Sequence, residues 1–127
     1  VQWNREFLAE LAGSPLDDRR VTVNEDDVAR MITTSKGNYD AILLDVDNGP
    51  EALTRRGNDW LYSFKGLETA FGALRRKGVL AIWSSGSEQA FTQRLRNAKF
   101  DVEEVRVRAR EGKKGGAHYV VWIAVRD

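Results

Sequence analysis

The stretch Tyr39-Asp40-Ala41-Ile42-Leu43-Leu44-Asp45 constrains the fold of this chain more than any other. Ala41 to Leu44 carry no polar alternation, so they read as a strand inside a sheet that is covered on both faces, the pattern of a parallel α/β sheet. Asp45 and Asp47 then follow, with Asn48-Gly49-Pro50 turning the chain. Open α/β sheets bind ligands at the carboxyl ends of their strands. Asp45 is therefore the first candidate for a functional carboxylate.

Around this strand the pattern alternates. Trp3, Phe7, Leu8 and Leu11 fall at helical spacing, and Gly13-Ser14-Pro15 ends that helix. Val21-Thr22-Val23 predicts a short strand, and Asp26-Asp27 precedes Val28, Met31 and Ile32 as the start of a second helix. A loop from Asn48 to about Asp59 leads to a third helix expected from about Ser63 to Arg76, stopped by Lys77-Gly78. Val79-Leu80-Ala81-Ile82-Trp83 is a second buried strand. A fourth helix holds Phe91, Leu95 and Ala98. Phe100 to about Arg108 and Tyr119 to Val125 form an antiparallel hairpin around a basic, glycine-rich loop at Arg110 to Gly116. The fold class is α/β, with one domain over residues 1–127.

Composition narrows the function. With 20 basic and 19 acidic residues the formal charge is +1, far from the balance that phosphate-backbone binding demands, so nucleic acid is not an expected partner. No apolar run approaches the ~20 residues of a membrane span, and none is expected. The absence of cysteine excludes disulfides, thiolate metal sites and cysteine nucleophiles, and fits a cytoplasmic location. Val1-Gln2-Trp3-Asn4-Arg5 has no apolar signal segment and no initiator Met, which points to a processed chain or a fragment.

The other chemistry-bearing residues have plain structural readings. His118 has no clustered partners for a metal site or a triad, and a hairpin surface position is expected for it. Ser84-Ser85-Gly86-Ser87 opens a helix after a strand, which suits N-capping or an anion at backbone N–H groups. Arg55-Arg56 and Lys113-Lys114 read as solvated loop charges. The four Trp residues read mainly as packing, with Trp60 and Tyr62 in or beside the loop that would cover a substrate.

Four segments together resemble the later part of a class I S-adenosylmethionine-dependent methyltransferase fold of the spermidine synthase-like kind. They are Arg20 to Asp27, Tyr39 to Asp45, Leu74-Arg75-Arg76-Lys77-Gly78-Val79-Leu80, and the closing hairpin. The resemblance implies a Rossmann-like sheet, mostly parallel, with a C-terminal antiparallel hairpin. It also implies a transferase acting on a small-molecule substrate, with S-adenosylmethionine or its decarboxylated form as cofactor. Gln2 takes the place of the acidic residue that binds the cofactor ribose, and Asp27 that of the residue at the adenine amino group, with Asp26 beside it. Asp45 matches the carboxylate that positions and deprotonates an attacking amine in aminopropyltransferases. Asp47 lies near their second motif carboxylate, but Asp45 to Pro50 is shorter than the aminopropyltransferase segment, which counts against polyamine synthesis. Family members begin with a strand and a Gly-rich loop around the cofactor, and the eleven glycines here form no G-x-G-x-G cluster. That first strand lies centrally in the family's sheet. Its absence implies a gap with unpaired backbone groups, filled by homo-oligomer formation or by re-pairing, and a chain that is catalytically incomplete.

Overall fold

The computed structural model describes residues 2, 5–6, 9–45, 59–108 and 118–127. Four strands form one sheet: β1 (Tyr39–Leu44), β2 (Leu74–Ser84), β3 (Phe100–Arg108) and β4 (His118–Arg126), in the spatial order β1-β2-β4-β3. β1 and β2 are parallel, and β4 is antiparallel to both β2 and β3. The sheet is thus mixed, with one parallel pairing, and the expectation of a mostly parallel sheet is not met. The cause lies in the hairpin: β4 turns back from β3 and inserts between it and β2, so both of its ladders run antiparallel. The expected C-terminal hairpin is present, with Arg108 opposite His118 and its loop outside the described residues.

Helices α1 (Ala9–Ala12), α2 (Val28–Thr34), α3 (Asp59–Tyr62), α4 (Phe64–Ala73) and α5 (Gln89–Asn97) complete the described elements, with a single 3-10 turn at Pro15–Asp17. One face of the sheet carries Ile42, Leu44, Leu80, Ile82, Val120, Trp122 and Ala124, all buried. Leu67, Ala70 and Ala73 of α4, Phe91 and Leu95 of α5 and Ile32 of α2 belong to the same core. Phe91 meets Trp122 edge-to-face at 4.9 Å between ring centroids. The opposite face stays open among the described residues: Leu43 is 76% exposed, and Val105 and Val107 are exposed on β3. The apolar run Ala41 to Leu44, read as covered on both faces, is therefore covered on one among the described residues.

Two other expectations change. Val21 to Val23 forms no strand; Val21 is exposed, and no described strand lies beside it to complete a ladder. The single helix expected from Ser63 to Arg76 is instead α3 and α4, followed at once by β2. Ser63 is extended and caps α4, its hydroxyl accepting from the Gly66 amide at 3.1 Å. At the other end Leu74 is also extended and fully buried as the first residue of β2. The register slips between Tyr39↔Leu74 and Ala41↔Val79, so Arg75 to Gly78 bulge out of the strand. Lys77 sits there at φ 64, and a Cβ on Gly78 would come 2.8 Å from the Arg75 carbonyl oxygen. The helix-like apolar spacing ends at Leu74 because that side chain joins the core as a strand residue. Arg126 closes this corner, donating to the Phe71 carbonyl at 2.8 Å and to that of Leu74, with its guanidinium 4.8 Å from the Phe71 ring centroid.

Of the N-terminal helix, Gln2, Arg5 and Glu6 are described as helical and exposed, and α1 buries none of its residues; Trp3, Phe7 and Leu8 lie outside the described residues. No helix among the described residues is long and apolar enough to cross a membrane.

Candidate functional site at the carboxyl edge of the sheet

The parallel strands β1 and β2 end side by side at Leu44 and Ser84. α2 ends just before β1, and the amides of Gly37 and Asn38 bond the Gly72 and Ala73 carbonyls at the end of α4, both at 2.9 Å. The two helices thus end at the amino edge of the sheet. The carboxyl edge carries Asp45 and the Ser84 to Ser87 turn that leads into α5.

A cavity of about 390 Å³ opens here on the uncovered side, bounded by Leu43, Leu44, Asp45, Ala81, Trp83 and Val121. Trp83 lies against Tyr119, ring centroids 4.8 Å apart and planes tilted by 32°. The floor is apolar and aromatic, and Asp45 is the one ionisable group on the wall among the described residues. It is exposed, and among the described residues nothing donates a hydrogen bond to it or pairs with its charge. A carboxylate beside an apolar floor suits a cation or a proton-bearing nucleophile.

The other sequence-derived candidates are placed differently. Asp27 accepts from the Arg30 amide at 3.0 Å as the N-cap of α2, and Asp26 holds the Arg30 guanidinium, its Nε at 3.1 Å. Both carboxylates are engaged by their own helix. Gln2 donates to Glu6 at 2.9 Å on an exposed surface. Trp60 is half-buried against the core, and Tyr62 is buried edge-on to Phe91 at 5.9 Å; neither lines the cavity. Asp47 lies outside the described residues. His118 is exposed at the start of β4.

Sequence reading missed a polar network behind this edge. Trp122 Nε1 donates to the Thr92 hydroxyl at 2.9 Å in the core; the Thr92 and Ser87 hydroxyls both meet the Glu104 carboxylate, Ser87 at 2.7 Å. Glu104 on β3 thereby ties α5 and the turn after β2 to the sheet. The available signal was strand alternation: Val102 and Glu104 share a face with Phe100, so an acidic side chain had to lie toward the helices. The Thr92 hydroxyl first, and then that of Ser87, hold the Glu104 carboxyl below its ordinary value of 4.5. Since the folded-state value is the lower one, the network contributes its full stability above that ordinary value and loses it as pH falls through the folded value. Urea midpoints measured from neutral to acidic pH should fall less steeply for Glu104→Gln than for the natural chain. Identical slopes would remove Glu104 from the acid response.

No protein-family model matches this chain, and no curated protein matches it in sequence. Solved structures do match. A spermidine synthase in complex with the transition-state analogue AdoDATO aligns with 100% of this chain and 43% of its own length, at TM-score 0.73 and 16% identity. Spermidine synthase from Thermotoga maritima aligns with 100% of this chain and 42% of its own, at 0.67 and 14%. A methyltransferase from Pyrococcus furiosus aligns with 72% of this chain and 42% of its own, at 0.50 and 21%. The chain therefore has a methyltransferase-like fold of the kind found in spermidine synthase, and spans less than half the length of these structures. At such identities the likeness is one of fold.

Proposed function

We propose that this chain is the acceptor side of a transferase domain of the S-adenosylmethionine-dependent, spermidine synthase-like type, catalytically incomplete by itself. The observation that carries the reading is Asp45: an exposed carboxylate at the end of a parallel strand, beside an apolar cavity, with no partner among the described residues. In that role it would accept a hydrogen bond from the nucleophile, orient it and take up its proton.

The residues present do not fit a whole cofactor site. Asp26 and Asp27, expected at the adenine, are engaged with Arg30; Gln2 is engaged with Glu6; and the sequence contains no G-x-G-x-G loop. No step through S-adenosylmethionine or its decarboxylated form is derived for this chain, and the residues that would cradle either must come from elsewhere. The fold likeness to two spermidine synthase structures favours aminopropyl transfer as a second reading, in which Asp47 would join Asp45 at the amine. The short Asp45 to Pro50 segment weighs against it.

Calorimetric titration of the 127-residue chain with S-adenosylmethionine and with its decarboxylated form is expected to give no saturable heat. Micromolar one-to-one binding of either would overturn the incomplete-site reading. Separately, titration with propylamine should shift the methyl resonances of Leu43, Ala81 and Val121, and Asp45→Asn should abolish the response. Shifts that are absent, or that survive this substitution, would remove Asp45 from the acceptor role.

A further inference from the structure

The segment that joins β2 to α5, Ser85 to Glu88, is held weakly by its own atoms. The Gly86 amide reaches back to the Ser84 hydroxyl at 3.3 Å, and Glu88, the N-cap of α5, gives that helix no side-chain cap. Among the described residues, one hydrogen bond leads from Ser85, Gly86 or Ser87 to an element other than β2: the Ser87 hydroxyl donates to the Glu104 carboxylate on β3 at 2.7 Å. The other oxygen of that carboxylate takes the Thr92 hydroxyl, and Thr92 accepts from Trp122 Nε1 at 2.9 Å, so the anchor is itself fixed in the core. Glu104, Trp122, Ile82 and Leu44 stand opposite one another in one row across the sheet. Asp45, next after Leu44, therefore lies beside Trp83, and the turn starts two residues further on at Ser85. With about 3.3 Å per strand residue and about 4.8 Å between strands, the Ser85 backbone comes within about 8 Å of that of Asp45.

We propose that Glu104 is a positioning residue for the acceptor site: by holding the Ser87 hydroxyl it fixes the Ser85 to Ser87 turn beside the amine that Asp45 binds. This rests on the acceptor role of Asp45. The ends of adjacent parallel strands open onto one space, so a ligand that reaches Asp45 meets the turn after β2 next. Ser85 is exposed there, with a hydroxyl and an amide that can bond such a ligand. Gly86 leaves the backbone of the turn wide freedom, so its shape at the site is set by the tie to Glu104 and not by the segment itself. Glu104 stands three strands away from Asp45 and acts only through Ser87. The ionised carboxylate is the form that accepts both hydroxyls. Thr92 meets it from α5, Ser87 from the turn and the Trp122 indole from β4, and Arg106 on its own strand is the charged group that acts on it.

Nuclear magnetic resonance of the whole chain tests the tie and the site separately. On acidification the Gly86 and Ser87 amide resonances should show a transition below the ordinary 4.5 of a glutamate, where Glu104 takes up its proton, and Glu104→Gln should remove it. At neutral pH, Ser87→Ala should weaken propylamine binding about three- to tenfold, and Ser87→Thr, which keeps the hydroxyl, should recover it. Adding Glu104→Gln to Ser87→Ala should weaken binding no further, because both remove one interaction. Amides that ignore Glu104, losses that add in the double variant, or a propylamine response that Ser87→Ala leaves intact would overturn the proposal and leave the Asp45 reading standing. A natural chain that does not respond to propylamine fails at Asp45 itself and takes this proposal with it.

Discussion

Trp122→Ala is expected to remove about 3–5 kcal/mol of stability, the range for truncating a buried aromatic side chain. Trp122 is fully buried at the centre of β4, where Phe91 packs edge-on to its indole at 4.9 Å. Truncation empties the space between the sheet and α5, and it also strips the Thr92 hydroxyl of its donor, leaving that group with the two acceptors it faces, the Glu104 carboxylate and the Glu88 carbonyl. Domains have total stabilities of about 5–15 kcal/mol, so a loss of this size approaches the whole of it in the weaker half of that range. Trp122→Phe separates the two contributions. It keeps a ring against Phe91 and loses the N–H, and about 1–2 kcal/mol is expected from the hydrogen bond and the smaller volume together. Urea denaturation checks both: with slopes of about 1–3 kcal/mol/M, the alanine variant should melt at least about 1 M earlier than the natural chain. Equal midpoints for the alanine and phenylalanine variants would show that packing around the indole contributes nothing beyond the N–H.

Trp122 was legible as a core residue because Tyr119 to Val125 is a near-continuous apolar run, and such runs announce buried strands without naming their neighbours. The same property explains what the sequence hid. Periodicity identifies β1, β2 and the hairpin, yet it contains nothing about β4 entering between β2 and β3, which decides how many pairings are parallel. It carried the third helix through Leu74 to Arg76 because Leu67, Ala70, Phe71 and Leu74 satisfy one helical stripe, while the extended backbone of Leu74 is set by pairing with Tyr39. At the candidate site, Asp45 was legible from its place after an apolar strand. Trp83 and Val121, which line the same cavity, were not, because they come from strands brought together only by the sheet. Asp27 shows the reverse: an N-cap and a ligand-binding carboxylate look alike in sequence, and in the structure its oxygen meets the Arg30 amide. Tyr62, beside a loop in the sequence, has its ring in the core because α3 folds it against Phe91.

Two glycines of α4 are expected to respond to alanine with opposite signs. In the interior of an exposed helix, Gly→Ala gains about 1 kcal/mol from backbone entropy. Gly72 meets this condition: it is exposed, its φ is not positive, and a Cβ there would find nothing within 4 Å. Gly66 does not. A Cβ there would lie 2.1 Å from the Trp60 carbonyl oxygen and 3.0 Å from the Cα and carbonyl oxygen of Leu61. These are backbone atoms, so relief requires α3 to move as a unit. That movement carries away the Trp60 carbonyl, to which Ser63 donates from its hydroxyl at 2.6 Å and its amide at 3.0 Å, and with it the hydroxyl that caps the Gly66 amide. Overpacking of about 1–3 kcal/mol and a lost cap of about 1 kcal/mol outweigh the propensity gain, leaving Gly66→Ala destabilised by about 1–3 kcal/mol. At about 3–5 °C per kcal/mol for a domain of this size, thermal unfolding should place Gly66→Ala several degrees below the natural chain and Gly72→Ala several degrees above it. A Gly66→Ala midpoint at or above that of the natural chain would mean that α3 does not pack this closely on α4, and the capping role of Ser63 would fall with it.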